Sequence, residues 1–285
     1  MLSVWRGDWK VKTRIITAAV SVPLMFIVLF FLPPLALAGV ISIISAICAY
    51  ELINAIGCKV NDRVRIYAVF SAVLIPIGAY FGLTALVFPA VLMVLMSLLF
   101  AEAFFVFRTI RQIKFPQIMT VLFAGALVPL MLSCLVDLKL MPEGRLLVLL
   151  PVISAFITDA GAYFTGMAVG KKQAFPLISP KKTVEGCIGG LVIGTLAVLI
   201  YGAILVFTTY HFVVFWALLL YGVIGAVFTQ LGDLAFSLIK REFDVKDYGR
   251  LIPGHGGMLD RFDSMVFAAP AIYLLISFIP AIIVR

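Results

Sequence analysis

Residues 187–208 read CIGGLVIGTLAVLIYGAILVFT, a run of 22 residues without a charged side chain. An α-helix of about 20 apolar residues is long enough to cross the hydrocarbon core of a bilayer. The rest of the chain is similar, since 64% of its 285 residues are hydrophobic and only 13% are charged. A soluble domain carries about a quarter charged residues. The composition therefore predicts an all-α integral membrane protein and excludes an ordinary soluble domain.

Nine apolar spans of this kind are predicted. They cover residues 15–32, 35–56, 65–81, 83–105, 118–136, 146–169, 187–208, 212–238 and 264–283. Uniformly apolar runs favour helices, because the strands of a membrane barrel are shorter and alternate in polarity. We expect one polytopic helical domain over residues 1–285, with mostly scaffold spans in 1–137 and the polar chemistry in 146–285.

The basic residues predict the orientation of these spans. If the N-terminus is cytoplasmic, 19 of the 22 Lys and Arg residues lie on the cytoplasmic side, and only Lys139, Arg145 and Arg285 lie outside. This distribution follows the positive-inside rule and predicts an N-in, C-out topology. It also explains the net charge of +8 without nucleic acid as a partner. A basic cytoplasmic face attracts anionic lipid headgroups and nucleotides.

Between the last two spans lies a polar block, which reads SLIKREFDVKDYGRLIPGHGGMLDRFD at residues 237–263. It combines charges of both signs with one histidine and four glycines. Each charge beside hydrocarbon is unfavourable, so such a block is typical of a functional site. Glycines permit a close approach of the backbone to a ligand. His255 among them is as consistent with a hydrogen-bonding loop residue as with an acid or base.

Three carboxylates near the last two spans predict a metal site. Asp233 lies inside the predicted span 212–238, and Asp260 and Asp263 share a helix face if the last span begins near Met258. Three like charges at one membrane boundary repel each other unless a cation binds among them. Oxygen ligands next to phosphates favour Mg²⁺ (or Mn²⁺), which usually keeps several waters and bridges to substrate phosphates.

Asp159 is a further ionisable residue inside a span, and such residues mark a site or a pathway by default. It is followed by Gly161, Gly166 and Gly170. Small residues at this spacing let either a neighbouring helix or a ligand approach the backbone closely. The sequence leaves both interpretations open for the glycines.

The loop at residues 179–186 reads SPKKTVEG. Lys181 and Lys182 provide point charges suited to phosphates. Thr183 and Glu185 fall where the start of a helix uses a cap and an acidic side chain. The loop is therefore either a basic cytoplasmic loop with a helix cap or a phosphate cradle at a helix N-terminus.

The first five spans carry little polar chemistry, with Glu51 and Glu102 as the exceptions. Each lies near a predicted cytoplasmic end. We expect them to cap helices or to pair with nearby basic residues; the functional alternative is that they support the site.

The polar block resembles the signature of the phosphatidate cytidylyltransferases, also called CDP-diacylglycerol synthases. The matching positions are Ser237, Ile239, Lys240, Arg241, Lys246, Asp247, Gly249, Ile252, Pro253, His255, Gly256, Gly257, Met258, Asp260, Arg261, Phe262 and Asp263. The Asp159, Tyr163 and Gly166 pattern and the loop at 179–186 are also similar to that family. The resemblance covers the second half of the chain.

The resemblance implies transfer of a cytidylyl group from CTP to phosphatidic acid, which yields CDP-diacylglycerol and pyrophosphate. It implies a multi-pass, Mg²⁺-dependent enzyme of the bacterial inner (cytoplasmic) membrane, homodimeric and facing the cytoplasm with its active site. It also implies that Asp233 and Asp260 belong to the metal centre, and that a monovalent cation such as K⁺ accompanies the Mg²⁺.

Within this framework each polar residue receives an expected role. We expect metal binding by Asp233 and Asp260, with Asp263 beside them, while Asp159 holds the second cation or orients a lysine. The residues expected to neutralise phosphates are Lys181, Lys182, Lys240, Arg241, Lys246 and Arg261. The remaining substrate-binding candidates are Ser179, Thr183, Ser237, His255, Gly256 and Gly257.

Three other classes of function are weighed against this one. A secondary transporter using Asp159 and Asp233 for ion coupling is disfavoured, because transporters commonly show repeated halves and this chain has one polar and one plain half. A CDP-alcohol phosphotransferase is disfavoured because its Asp-Gly-x-x-Ala-Arg run is missing from the sequence. A scaffold protein without catalysis leaves the carboxylates unexplained.

Overall fold

The computed structural model of the protein describes residues 23–57, 60–110, 112–209, 212–252 and 256–283. Within these residues, eight helical stretches are long and apolar enough to cross a membrane. The predicted all-α polytopic class is thereby confirmed. Residues 15–22 of the predicted first span lie outside the described residues, and its described part is helical at 23–30. The chain divides into two compact units, which are taken in turn.

The first unit contains the chain up to Val136 and the segment Phe243–Phe262. Its helices are α1 (Pro34–Ala55), α2 (Asp62–Tyr80), α3 (Thr84–Phe105) and α4 (Phe115–Leu122), followed by a π-helical turn (Phe123–Leu127) and the start of α5 (Val128–Leu140). Pro34 opens α1, where its missing N–H would have had no partner in the helix. Gly82 follows α2 with a φ of 69°, a left-handed conformation that favours glycine.

Close packing in the first unit depends on small residues. Helix α2 packs against α1, α3 and the π-helical turn. A Cβ added to Gly125 in that turn would lie 2.9 Å from the Cα atom of Ala68 in α2. The turn therefore lies directly on the backbone of α2, a contact that only a residue without a side chain allows.

The second unit contains Asp137–Glu242 and the chain from Asp263 onwards. Its elements are the end of α5, α6 (Gly144–Leu147), α7 (Leu149–Val169), β1 (Gln173–Phe175), β2 (Ser179–Thr183), α8 (Val184–Thr209), β3 (Phe212–Val213), α9 (Phe215–Glu242), α10 (Leu259–Phe278, from Asp263) and β4 (Ile282–Ile283). Strands β1 and β2 form an antiparallel hairpin in which Gln173 pairs with Thr183. Strands β3 and β4 form a second antiparallel pair.

Glycines bring α7 and α8 together. A Cβ on Gly190 would lie 2.8 Å from the carbonyl oxygen of Thr158, and one on Gly161 would lie 2.9 Å from the Cβ atom of Ile193. For Gly161, the packing interpretation of the sequence pattern is therefore confirmed. Because α7 carries Asp159 and α8 begins directly after β2, this packing fixes the scaffold of the polar residues.

Two expectations about local structure are corrected. Helix α9 continues to Glu242, so residues 237–242 of the polar block are helical, and 239–242 lie beyond the apolar span predicted to end at 238. Hydropathy marks where apolar residues stop, whereas Lys240 and Arg241 favour the C-terminal end of a helix through its dipole. The loop predicted at 179–186 is instead strand β2 followed by the first turn of α8.

The α7–α8 packing leads to a first prediction. Replacing Gly190 with Val should separate the helices and lower the free energy of unfolding by about 1–3 kcal/mol, as overpacking typically does. Gly39→Val in α1 is the matched control, because a Cβ there meets no atom within 4 Å. Thermal unfolding of both variants in detergent checks this, and equal midpoints would contradict it.

Candidate functional site

The β1–β2 hairpin of the second unit presents the basic residues predicted to contact phosphates. The Thr183 hydroxyl accepts a hydrogen bond from the Gly186 N–H at 3.1 Å, which confirms Thr183 as the N-cap of α8. Glu185 accepts hydrogen bonds from the N–H groups of Lys171 and Lys172 at 3.1 and 3.3 Å. The acidic side chain thus ties the start of the hairpin to the first turn of the helix.

Lys182 and Asp233 form an ion pair in which Nζ lies 2.7 Å from Oδ2. The two side chains are only 15% and 28% exposed. The contact is an ion pair without the alignment of a hydrogen bond. One predicted phosphate ligand and one predicted metal ligand therefore neutralise each other in this structure. Lys181, the preceding residue of β2, is exposed to solvent.

A second carboxylate lies near Asp233. Asp263 is buried and lies within electrostatic range of the Asp233 and Asp159 carboxylates and of the Lys240 ammonium. Asp159 itself accepts a hydrogen bond from the Ser264 hydroxyl at 2.8 Å. Three acidic residues of the second unit, Asp159, Asp233 and Asp263, thus lie near Lys182 and Lys240.

Ser237 and Arg241, which were predicted to share a helix face with Asp233, both lie on α9. Ser237 is buried. Arg241 is exposed and donates a hydrogen bond from its Nε to the carbonyl oxygen of Ile178 at 3.1 Å, which attaches the tip of the hairpin to α9. The guanidinium thus combines a structural contact with a position beside the basic hairpin.

The first unit contains the middle of the polar block, folded around Asp260. The Oδ2 atom of Asp260 accepts hydrogen bonds from the N–H groups of Tyr248 at 2.8 Å and Gly257 at 3.0 Å. The Gly257 N–H, expected to contact substrate, is therefore directed at Asp260. Gly256 has a φ of 86°, and a Cβ there would lie 3.0 Å from the same Oδ2 atom.

The other predicted residues of this segment divide into two groups. Lys246 and Arg261 are exposed and are accessible to an anionic ligand. His255 lies outside the described residues. Its expected role in substrate binding therefore stays a prediction.

Glu51 was expected to cap a helix or pair with a basic residue, with support of the site as the alternative, and the structure confirms it as a cap. Its Oε1 accepts a hydrogen bond from the Met258 N–H at 3.0 Å, and its Oε2 accepts one from the Leu259 N–H at 2.9 Å. These are orphan N–H groups at the start of α10. Glu102 instead pairs with Arg63 and accepts a hydrogen bond from the Tyr67 hydroxyl at 3.2 Å.

The profile of the family described as "Cytidylyltransferase family" matches residues 12–279. The chain belongs to the cytidylyltransferase family. Proteins named phosphatidate cytidylyltransferase from Staphylococcus saprophyticus and Staphylococcus aureus are 43% and 46% identical over 134 residues, which are 47% of this chain and 50% of each relative. The chain thus spans about half the length of the curated relatives it matches. The predicted family resemblance is confirmed.

The carboxylate oxygens of Asp233 and Asp263 are ligands of the kind that hard divalent ions such as Mg²⁺ prefer. Within the described ranges, no group of three or more His, Cys, Asp or Glu side chains is arranged to hold a metal. Mg²⁺ does not need such a group, because one or two carboxylates commonly bind it together with water and substrate phosphates. Asp233 and Asp263 meet that lower requirement, and the metal site stays a prediction.

Sequence reasoning did not find three contacts of the site. The β1–β2 hairpin has too short a strand signal, and Ser264 gives no signal as the partner of Asp159. The pairing of Glu51 with Met258 joins residues 207 positions apart, beyond the reach of any local periodicity. The one available signal for Glu51 was a carboxylate in an otherwise uncharged helix (residues 34–55).

The Lys182–Asp233 pair leads to a second prediction. Lys182→Met should lower the free energy of unfolding by about 1–3 kcal/mol, because a partly buried carboxylate loses its charged partner. Lys181→Met, on the exposed face of the same strand, should leave stability unchanged. Chemical or thermal unfolding in detergent compares the two, and an equal loss in both variants would contradict the pairing.

Proposed function

We propose that this chain is a phosphatidate cytidylyltransferase, which converts CTP and phosphatidic acid into CDP-diacylglycerol and pyrophosphate. The observation that carries the proposal is the Lys182–Asp233 ion pair beside Asp263 in a chain of the cytidylyltransferase family. Both relatives quoted above are named phosphatidate cytidylyltransferase. Their names support phosphatidic acid as the lipid substrate.

The reaction joins two polyanions, so its main barrier is electrostatic. A phosphate oxygen of phosphatidic acid attacks the α-phosphorus of CTP and forms a new P–O bond. The bond between the α-phosphorus and the bridging oxygen breaks, and pyrophosphate leaves with that electron pair. The lipid phosphate is already ionised near neutral pH, so the chain does not need a strong general base.

The chain's own contribution is to bind and orient the two phosphate groups. Lys181 and Lys182 on the hairpin and Lys240 and Arg241 at the end of α9 supply cations on adjoining elements of one unit. Positive groups fixed before the reaction stabilise the charge that develops on the phosphates. Lys246 and Arg261 supply exposed cations in the polar block of the first unit.

Exchange of charge partners is the step that we infer for the Lys182–Asp233 pair. In the structure the two side chains satisfy each other. When a nucleotide phosphate arrives, Lys182 turns to the phosphate and Asp233 is left to face a cation. A bound Mg²⁺ would supply that positive charge and polarise the α-phosphate of CTP. Asp233 and Asp263 would hold it in the second unit, and the resemblance adds Asp260.

The proposal extends to location and assembly. We infer a bacterial cytoplasmic-membrane protein whose site faces the cytoplasm, since the basic loops carry most of the positive charge. The acyl chains of phosphatidic acid would reach the site laterally from the inner leaflet. Homodimerisation, the accompanying K⁺ and the role of Asp159 towards it stay predictions.

A radiolabelled-CTP assay is the third prediction and tests the function directly. Purified protein with Mg²⁺ and phosphatidic acid should form lipid-soluble CDP-diacylglycerol. Asp233→Asn should nearly abolish turnover, since it removes the charge from the centre of the cluster. Asp62→Asn should retain activity, because Asp62 is exposed and its ion pair within the described part of the chain is with Arg65 of the same helix. Full activity of Asp233→Asn, or solute transport without nucleotide turnover, would overturn the assignment.

Metal dependence is the fourth prediction. Removing divalent ions with a chelator should stop product formation, and added Mg²⁺ or Mn²⁺ should restore it. Adding the larger Ca²⁺ instead tests whether the site requires a small ion. Thermal unfolding in the presence of each ion provides a reading that does not depend on turnover, because an ion that binds only the folded state raises the midpoint. Full activity after chelation would contradict the metal proposal.

A further inference from the structure

Glu51 lies in the plain half of the sequence, yet its side chain is hydrogen-bonded to the polar block. It is 7% exposed, and α1 carries no other charged residue (34–55). Each carboxylate oxygen accepts one backbone N–H, from Met258 and from Leu259. A buried carboxylate with both oxygens used in this way is a charge-assisted clamp on a helix start.

The surrounding glycines show that the clamp is closely fitted. A Cβ on Gly249 would collide with Oε1 of Glu51, and a Cβ on Gly257 would collide with Oε2. The backbone of the polar block therefore packs directly against the Glu51 carboxylate at Gly249 and at Gly257. Such an approach requires glycine at both positions and leaves Glu51 little freedom on that side.

The clamp acts on the element that carries Asp260. Met258 and Leu259 immediately precede Asp260, and Asp260 in turn accepts hydrogen bonds from Tyr248 and Gly257. Glu51 fixes the start of α10, and Asp260 folds the loop back onto that start. The position of the Asp260 carboxylate therefore depends on Glu51 through two consecutive peptide groups.

We propose that Glu51 is a positioning residue of the cytidylyltransferase site, which holds Asp260 and the glycine-rich turn in the geometry needed for phosphate and metal binding. The inference rests on the proposed function. Glu51 touches no substrate in this role. It acts through Asp260, as residues behind a metal ligand commonly do.

The chain offers a matched comparison for Glu51. Glu102 is also a buried carboxylate near the end of an apolar helix, at 8% exposure, but its partners Arg63 and Tyr67 are side chains of α2. Among the described residues, no hydrogen bond or ion pair joins Glu102 to the polar block. Loss of Glu102 should therefore affect stability alone.

The environment of Glu51 also leaves room for a displaced side chain. A cavity of about 570 Å³ lies between α1, α2 and the segment around Gly249. It is lined by Glu51, Tyr50, Asn54 and Arg250, among others. A carboxylate pushed out of the clamp can turn into this space. We therefore expect variants of the clamp to remain folded.

The fifth prediction compares Glu51→Gln and Gly249→Ala with the controls Glu102→Gln and Gly39→Ala. Gln offers only one acceptor oxygen where two N–H groups need one each, and the methyl group added by Gly249→Ala displaces the carboxylate from the other side.

Both variants should lower kcat by about 10- to 100-fold and raise the Mg²⁺ concentration for half-maximal activity, as does the loss of a residue that orients a metal ligand. Glu51→Asp keeps both oxygens and should recover part of the activity. The controls should keep the wild-type kcat and Mg²⁺ requirement, because Glu102 pairs with side chains of α2 and a Cβ at Gly39 meets no atom within 4 Å.

Hydrogen exchange measured by mass spectrometry supplies a reading that is independent of turnover. Glu51→Gln should accelerate exchange in the peptide covering residues 256–262, because the Met258 and Leu259 amides lose an acceptor. Glu102→Gln should not change that peptide, even if both variants unfold at a similar temperature.

The outcomes distinguish failure of the positioning role of Glu51 from failure of the proposed cytidylyltransferase function. Normal kcat and Mg²⁺ requirement in Glu51→Gln, or an equal loss in Glu51→Gln and Glu102→Gln, would overturn the positioning role. If Glu51→Gln does not fold, Gly249→Ala against Gly39→Ala decides in the same way. Inactive wild-type protein would instead overturn the proposed function, while the exchange experiment would still test the clamp.

Discussion

Polar groups at the edge of a hydrocarbon layer must find partners within the protein, because the bilayer interior offers none. This constraint determines how the polar residues of the chain are arranged. Asp233 is satisfied by Lys182, Asp159 by the Ser264 hydroxyl, and the first N–H groups of α10 by Glu51. Each of these pairs joins a residue of the polar segments to an element distant in sequence. Stabilising the fold and assembling the site are therefore largely the same physical task.

Under the proposed function, partners of this kind are also exchangeable. A lysine and an aspartate that neutralise each other stand where a phosphate and a metal ion would together restore the same balance. Such a pair keeps two charges at low dielectric without leaving either unpaired. In the proposed mechanism, this pairing keeps the charges of the site balanced between turnovers and still lets a polyanion enter.

The sequence predicted the helical class and most spans, because hydropathy averages over many residues and one misplaced side chain does not alter it. Segment ends were less accurate: α9 continues past the apolar residues to Glu242, since backbone hydrogen bonding does not stop where hydropathy does. The polar block was predicted as a site from its charges, histidine and glycines and from its resemblance to a known family. Its internal contacts were not, because Glu51 and Leu259 are 208 positions apart and only the folded chain brings them together. The predicted division into scaffold and catalytic spans stays a prediction, although Glu51 gives the first half a direct link to the polar block.

The π-helical turn at Phe123–Leu127 has a consequence for how such a membrane span can change. A wide turn of this type accommodates one extra residue within an otherwise regular helix, and each residue advances a helix by about 100°. Deleting a single residue within the turn would therefore restore a regular α-helix and leave both ends of the span facing their present neighbours. The same deletion in the regular part of the span would rotate one end against the other by about 100° and exchange its lipid- and protein-facing side chains. The wide turn is thus the place in this span that tolerates a change of one residue in length.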